Sequence, residues 1–292
     1  MALTVFPLYG ITRQQSNFTL SATNWNASWP VTNLQDDEYA KVGRSVGIGG
    51  ESPDATPVIS GTSNALRAVQ AFAICAHNMS LTATYRLQLF RDTAMTEELY
   101  DSGSQKVWPA VYVYDRNFET DNFWSGQYST AEIAGQIPLR PIILDQNYSI
   151  RGWKLTLFDP QNSDGHVQIG LLEVAEGWQP SAGIELGAQD GYRSFTAITE
   201  LPGGLERHDI YPAGYTVQGV MPYLQQDEAQ ERGYELLRQY DVHTPFLFVL
   251  HPSRPRTWLR TAKMVKHAGL ELFVHSQPLL TGMPVNHKEY KG

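Results

Sequence analysis

The chain reads as a mainly β protein of two domains, the first an antiparallel sandwich and the second a set of strands with one helix. Three observations carry this expectation. Residues 82–90 alternate, with Ala83, Tyr85, Leu87 and Leu89 apolar against Thr84, Arg86 and Gln88, which is the period of a half-buried strand. Fifteen Tyr, 7 Trp and 17 Pro favour β-structure divided by turns. Only one stretch, about 226–241, carries a helical period.

A length of 292 residues is more than one ordinary core serves, so two domains are expected, over 1–178 and 193–292, with a linker over 179–192. In the first, Leu66, Ala68, Phe72 and Ile74 mark a strand in the middle of a sheet, and "VWPAVYVYD" at 107–115 another. "RGWKLTLFD" places Trp153, Leu155 and Leu157 on one face and ends in "DPQNSDG", a stretch dense in turn formers. Many short strands with long loops indicate a sandwich or jelly roll. Gly, Pro, Ser and Ala then accumulate through 176–192, as in an interdomain connection.

The C-terminal part runs strand, helix, strand, strand, strand. "YTVQGVMPYL" precedes the helix, whose apolar face is Ala229, Gly233, Leu236, Leu237 and Tyr240. Asp227 and Glu228 suit its first turn and Arg238 its last. "PFLFVLHP", "LRTAKMVKH" and "LELFVHSQPLL" are the three strand candidates, and the terminal "GMPVNHKEYKG" at 282–292 reads as a tail that needs a neighbour to be ordered.

Hydrophobic residues make up 42% and charged residues 18% of the chain, so disorder is excluded. The single cysteine, Cys75, excludes an internal disulfide framework. Asn17, Asn26, Asn78 and Asn147 each begin an N-x-Ser/Thr sequon, but no charged segment followed by an apolar one opens the chain, so the sequons read as accidental. No apolar run reaches the roughly 18 residues of a membrane helix, and no membrane insertion is expected. The net charge of −8 is unevenly spread: residues 1–180 hold 11 basic and 18 acidic side chains, so this part should repel nucleic acid. Past residue 243, however, Arg254, Arg256, Arg260, Lys263, Lys266, Lys288 and Lys291 outnumber Glu271 and Glu289.

Catalytic motifs fail in context. "GRSVG" at 43–47 matches the nucleophile elbow, yet Ser45 has no buried strand before it and runs into "GIGGESPD", which cannot start a helix. "GIGG" also lacks the Lys-Ser/Thr of a phosphate loop. The eight histidines form no H-E-x-x-H or H-x-H metal pattern. Asp36, Asp37 and Glu38, or Glu97 and Glu98, are adjacent acids on polar turns, whereas glycosidase carboxylates face each other across about 5 to 9 Å. No enzyme activity and no cofactor are expected. His77-Asn78 reads as the corner between two core strands, with Asn78 holding the turn by bonding its own backbone.

That corner, "FAICAHNM" followed by "YRLQLFRD", resembles a pattern in discoidin-like jelly-roll domains of bacteriophage virion proteins, which often carry Gly-His-Asn-Leu there. Ala76 and Met79 replace the Gly and Leu. "SATNWNASWPVTNLQDD" resembles the early loop of such domains, and "YSIRGWKLTLFDPQNSDGHVQIGLLEV" their closing Trp strand, so the likeness covers roughly 17–178. The segment from "PGGLERHD" to "PFLFVLHPSRP" is similar to tail proteins of long-tailed phages, with Pro245, Phe246, Leu247, Phe248 and Pro252 fitting and Asp241 near where a Gly is usual.

The resemblance implies a discoidin-like jelly-roll sandwich in the first domain and a tail-tube-like β-sandwich flanked by one helix in the second, in a non-enzymatic structural protein of the distal tail or baseplate. It implies location in the virion tail after assembly in the host cytoplasm. The implied partners are further copies of the chain in a ring, six favoured over three, and tail proteins such as the tube and baseplate hub. Arg254, Arg256, Arg260, Lys263 and Lys266 are candidates to face DNA in the channel. The alternative is a carbohydrate-binding host-attachment protein that stacks a surface glycan on the aromatic loop of Trp25 and Trp29; the competing role for these rings is filling the end of the sandwich.

Overall fold

The computed structural model describes residues 6–48, 56–109, 126–185, 187–201, 205–211, 213–277 and 279–292. Gly49 and Gly50 of the glycine-rich stretch, and 110–115 of the strand expected at 107–115, lie outside these residues. The protein is mainly β and its sheets are antiparallel, as expected. It divides into two compact units.

The first unit gathers Leu8–Trp178 with Val249–Lys263 and Lys291–Gly292. Its strands are β1 (Leu8–Arg13), β2 (Thr19–Thr23), β3 (Gly43–Arg44), β4 (Val58–Cys75), β5 (Thr84–Phe90), β6 (Glu98–Asp101), β7 (Gln105–Lys106), β8 (Leu139–Phe158), β9 (Gln168–Ile169) and β10 (Leu171–Trp178). The spine is the long pair of β4 and β8, in register from Val58↔Thr156 to Cys75↔Leu139. Slips between Thr62 and Arg67 and between Val69 and Ala71 break that ladder, and such bulges bend and twist a strand. At one end β2 adds to β4 and β5 to β8; at the other β10 adds to β4 and β1 to β10.

The two ends face each other as layers. Phe72 pairs in register with Ile142, and Trp153 with Gly61, yet the Phe72 and Trp153 rings meet edge-on at 5.8 Å. Ile59, Leu87 and Leu155 from one end share a core with Phe72, Ile142 and Val174 from the other. This is sandwich packing. Gly61 makes room for the fully buried Trp153, since a Cβ there would lie 2.4 Å from the indole. Leu66 departs from the expected buried strand: it falls in the slipped stretch of β4 and is half exposed.

The second unit is built from Gln179–Phe248 and Met264–Tyr290. Its strands are β11 (Gln189–Arg193), β12 (Ala197–Leu201), β13 (Leu205–Asp209), β14 (Gly214–Gln225), β15 (Phe246–Val249), β16 (Ala262–His267), β17 (Val274–Gln277) and β18 (Leu280–Glu289). One sheet runs in the order β11, β14, β18, β16, β15, while β12 and β13 form a separate hairpin. The helical stretch 226–239 packs on this sheet as its period required: Ala229, Gly233, Leu236 and Tyr240 are buried. A Cβ on Gly233 would come 3.0 Å from Phe273 and 3.2 Å from Met283, so this glycine allows the close approach. A π turn spans Ala229–Gly233.

Four expectations are corrected. The segment 179–192 is not all linker, because Gln189–Arg193 pairs along β14. The region 193–292 is not one contiguous domain, because Val249–Lys263 groups with the first unit, where Leu259 joins the core cluster. "LRTAKMVKH" is strand only from Ala262; Trp258–Thr261 is a helical turn whose Trp258 and Leu259 are buried. The supposed tail is β18, paired with β14 from Thr216↔Lys288 to Gln225↔Leu280 and burying Met283, Val285 and His287 on one face.

Candidate functional site

The loops at one end of the first sandwich converge on the His77-Asn78 corner. Ala76 opens the corner with φ 52°, left-handed backbone that glycine adopts more readily. His77 is buried, its Nδ1 accepts the Met79 N–H at 3.3 Å, and its ring meets Trp108 edge-on at 5.3 Å. Burial, with a smaller contribution from the Arg140 charge, pushes its pKa down to about 3. It is a neutral core group and shuttles no proton at neutral pH.

Asn78 bonds a loop some ninety residues away rather than its own backbone. Its Nδ2 donates to the His166 carbonyl at 3.0 Å and to Asp164 Oδ2 at 2.8 Å, and its Oδ1 accepts the Gln168 N–H at 2.7 Å. The turn at 159–168 is tied in again by Asp159, fully buried, which accepts the Ser80 N–H at 2.8 Å, the Ser80 hydroxyl and the Asn162 amide at 3.0 Å. The density of Asp and Asn in "DPQNSDG" was the signal for this turn, but not for its partner.

Ser45 belongs to the same stitching. It is buried, its hydroxyl donates to the Gly47 carbonyl, and it accepts the Val167 N–H at 2.8 Å. Both capacities are spent on backbone, so no attacking oxygen is presented. Among the candidate acids, Asp36 binds Lys41 at 2.8 Å, Asp37 binds Arg13, and Glu98 accepts from Gln88 at 2.8 Å. Among the described residues no group of three His, Cys, Asp or Glu is placed to hold a metal.

The two tryptophans divide the roles weighed for them. Trp25 packs against the core cluster, and its Nε1 donates to the Trp29 carbonyl at 3.0 Å. Trp29 is 37% exposed, and the Arg44 guanidinium stacks 4.2 Å from its ring centroid. Arg44 is held in turn by Gln168 Oε1 at 2.9 Å and by its own N–H to the Trp29 carbonyl at 3.1 Å. Arg44 and Gln168 were missed in the sequence because they are 124 residues apart and meet only through the pairing of β3 with β9. A separate cleft of about 490 Å³ has Thr82, Thr84, Arg86, Thr156 and Phe158 on its walls and includes none of Trp29, Arg44 and Gln168.

The five basic residues do not form one set. Arg254, Arg256 and Arg260 are exposed on the first unit, while Lys263 is 2% exposed and its Nζ lies 3.5 Å from Gln136 Oε1. Lys266 lies on the second unit with its Nζ 5.5 Å from the Tyr290 ring centroid. Lys263 is the second residue of β16 and its side chain is buried, so it does not join the exposed cations.

No family model matches the chain, and no curated protein matches it. Solved structures do. A family 32 carbohydrate-binding module of NanJ from Clostridium perfringens, in complex with galactose, aligns with TM-score 0.37 and 16% identity over 57% of this chain and 98% of that one. A second module of that family, CpGH89CBM32-6 from C. perfringens, aligns with TM-score 0.34 and 14% identity over 56% and 95%. A chitosan-binding module from a Paenibacillus sp. IK-5 chitosanase/glucanase aligns with TM-score 0.32 and 10% identity over 54% and 94%.

Proposed function

We propose that the first unit is a discoidin-like carbohydrate-binding domain in a non-enzymatic attachment protein, with Trp29, Arg44 and Gln168 at its sugar platform. The observation that carries this reading is the fixed stack of Trp29 and Arg44 on an exposed loop. An indole offers a flat apolar face to the C–H side of a pyranose, and a guanidinium offers donors to its hydroxyls. Gln168 and the Trp29 carbonyl hold Arg44 in place, so little ordering entropy is left to lose on binding. The test is a glycan array probed with the full chain and with Trp29→Ala. Sugar binding that the variant loses supports the reading, and an array without hits removes it.

A second reading is assembly of the chain into a virion ring at a phage tail. It is favoured by the hairpin of β12 and β13, whose Ile198 and Leu205 are 60% and 68% exposed, followed by Ile210 at 82%. A two-stranded ribbon is marginal alone in water, and apolar side chains of this kind call for a covering partner. Light scattering on the purified full chain decides: a six- or three-copy species that Ile198→Lys dissolves supports the ring, and a monomer at all concentrations rejects it.

A further inference from the structure

The second unit carries a polar sheet face that the reading above does not use. Side chains on alternate residues share a face, and the register puts three rows side by side. Gln189, Gln218 and Asn286 form one row across β11, β14 and β18. Gly191, Thr216, Lys288 and Lys266 form the next across β11, β14, β18 and β16. Arg193, opposite Gly214, begins the third.

Two features make this face a site. The first is a cleft of about 600 Å³, within the range of small-ligand pockets, lined by Gln189, Arg193, Thr216, Gln218, Asn286 and Lys288 together with Asp190 and His287; Lys266 lies next to it as the register partner of Lys288. Gly191 opens its floor, since a Cβ there would meet nothing within 4 Å. The second is charge. Lys266 and Lys288 are directly opposed, an arrangement that destabilises a sheet unless an anion offsets it. Among the described residues, Arg193, Lys266 and Lys288 have no ion pair. The nearby acids are engaged: Glu271 accepts from Asn286 Nδ2 at 2.6 Å, Glu289 accepts the Tyr215 N–H at 2.9 Å, and Asp190, which is part of the cleft lining, accepts from the Tyr215 hydroxyl at 3.5 Å.

We propose that this face binds a carboxylated oligosaccharide through Arg193, Lys266 and Lys288, with Gln189, Gln218 and Asn286 bonding its hydroxyls. Three cations spaced among amides match a chain with one carboxylate per sugar. A nucleic acid fits less well, because it would need a denser row of cations and would approach a protein of net charge −8. Tyr192 and Phe195, 51% and 43% exposed, border the cleft and give a sugar ring an apolar edge.

Titration calorimetry of the full chain with an oligogalacturonate tests this. Binding at low salt that weakens roughly tenfold in Arg193→Gln/Lys288→Gln, and again in added salt, is the expected result. Gly191→Val, which fills the floor without meeting its own chain, should weaken it likewise, whereas Trp29→Ala should leave it unchanged. Three outcomes overturn the proposal: no binding at low salt, binding that only Trp29→Ala removes, and stronger binding of a single-stranded DNA oligonucleotide to the same residues. Because this site and the Trp29 platform are tested by different variants, either can fail alone.

Discussion

The side-chain oxygen of Asn78 accepts the backbone N–H of Gln168 at 2.7 Å, while its amide nitrogen donates to the carbonyl of His166 at 3.0 Å. One side chain thus pairs with the backbone of a loop as a strand would, and holds β9 where Gln168 can reach Arg44. Replacing Asn78 with Ala removes these bonds and leaves the Gln168 N–H without its acceptor. The first unit should lose about 2 kcal/mol, measured by urea unfolding. Asn78→Asp should do no better, since its carboxylate would face Asp164. A loss of sugar binding with stability intact would show that Asn78 contacts ligand instead.

Ala76 holds the left-handed conformation next to this corner. Such backbone costs an L-residue about 1–2 kcal/mol, part of which glycine returns in chain entropy. Ala76→Gly should therefore raise the stability of the first unit by about 0.5–1 kcal/mol. Thermal unfolding checks the sign, and a lower melting temperature would contradict it.

Glu173 is fully buried on β10, and Arg13 binds it at 3.1 and 2.9 Å while gripping Asp37 at 2.6 Å. Burial pushes the Glu173 carboxyl up, and the neighbouring acids keep Arg13 charged. Arg13→Ala should cost about 3–5 kcal/mol by stranding a buried acid. Adding Glu173→Gln should recover part of it. A double variant as unstable as the sum of both singles would show that the two do not act as a pair.

Three buried histidines set the acid limit. Burial lowers His77 to about 3 and His267 to about 4, and it holds His287, aided by the neighbouring His267, well below the ordinary 6.5. The unfolded chain takes up these protons first, so their contribution is complete above about pH 6.5 and is lost as pH falls toward 4 and 3. His77 serves the first unit, whereas His267 and His287, 5.0 Å apart, serve the second. The melting temperature should fall steadily below pH 6.5, and His77→Gln should flatten that slope for the first unit. A constant melting temperature from pH 7 to 4 would refute the assignment.

Local pattern made part of this legible. Alternation in Tyr85, Leu87 and Leu89 and the spacing of Ala229, Gly233, Leu236 and Tyr240 name the faces that are buried. His77-Asn78 was recognisable as a corner, but its partners at 164–168 meet it only when β4 and β8 have closed the sandwich. Gly282 and Pro284 disguised β18, since both discourage strands; Thr216–Gln225, some sixty residues earlier, supplies the ladder they lack. Lys263 looked like one of five surface cations because charge pattern does not show which strand face is core. The platform was half visible: Trp29 stood out by type, and Arg44 was hidden inside a motif that drew attention to Ser45.

The stacking of a sugar on Trp29 is the central claim, and saturation-transfer NMR on the full chain with the sugar the array selects tests it most directly. Saturation concentrated on one C–H face of the sugar, and absent with Trp29→Ala, is the predicted result. Equal saturation in both proteins would place the sugar elsewhere and contradict the account.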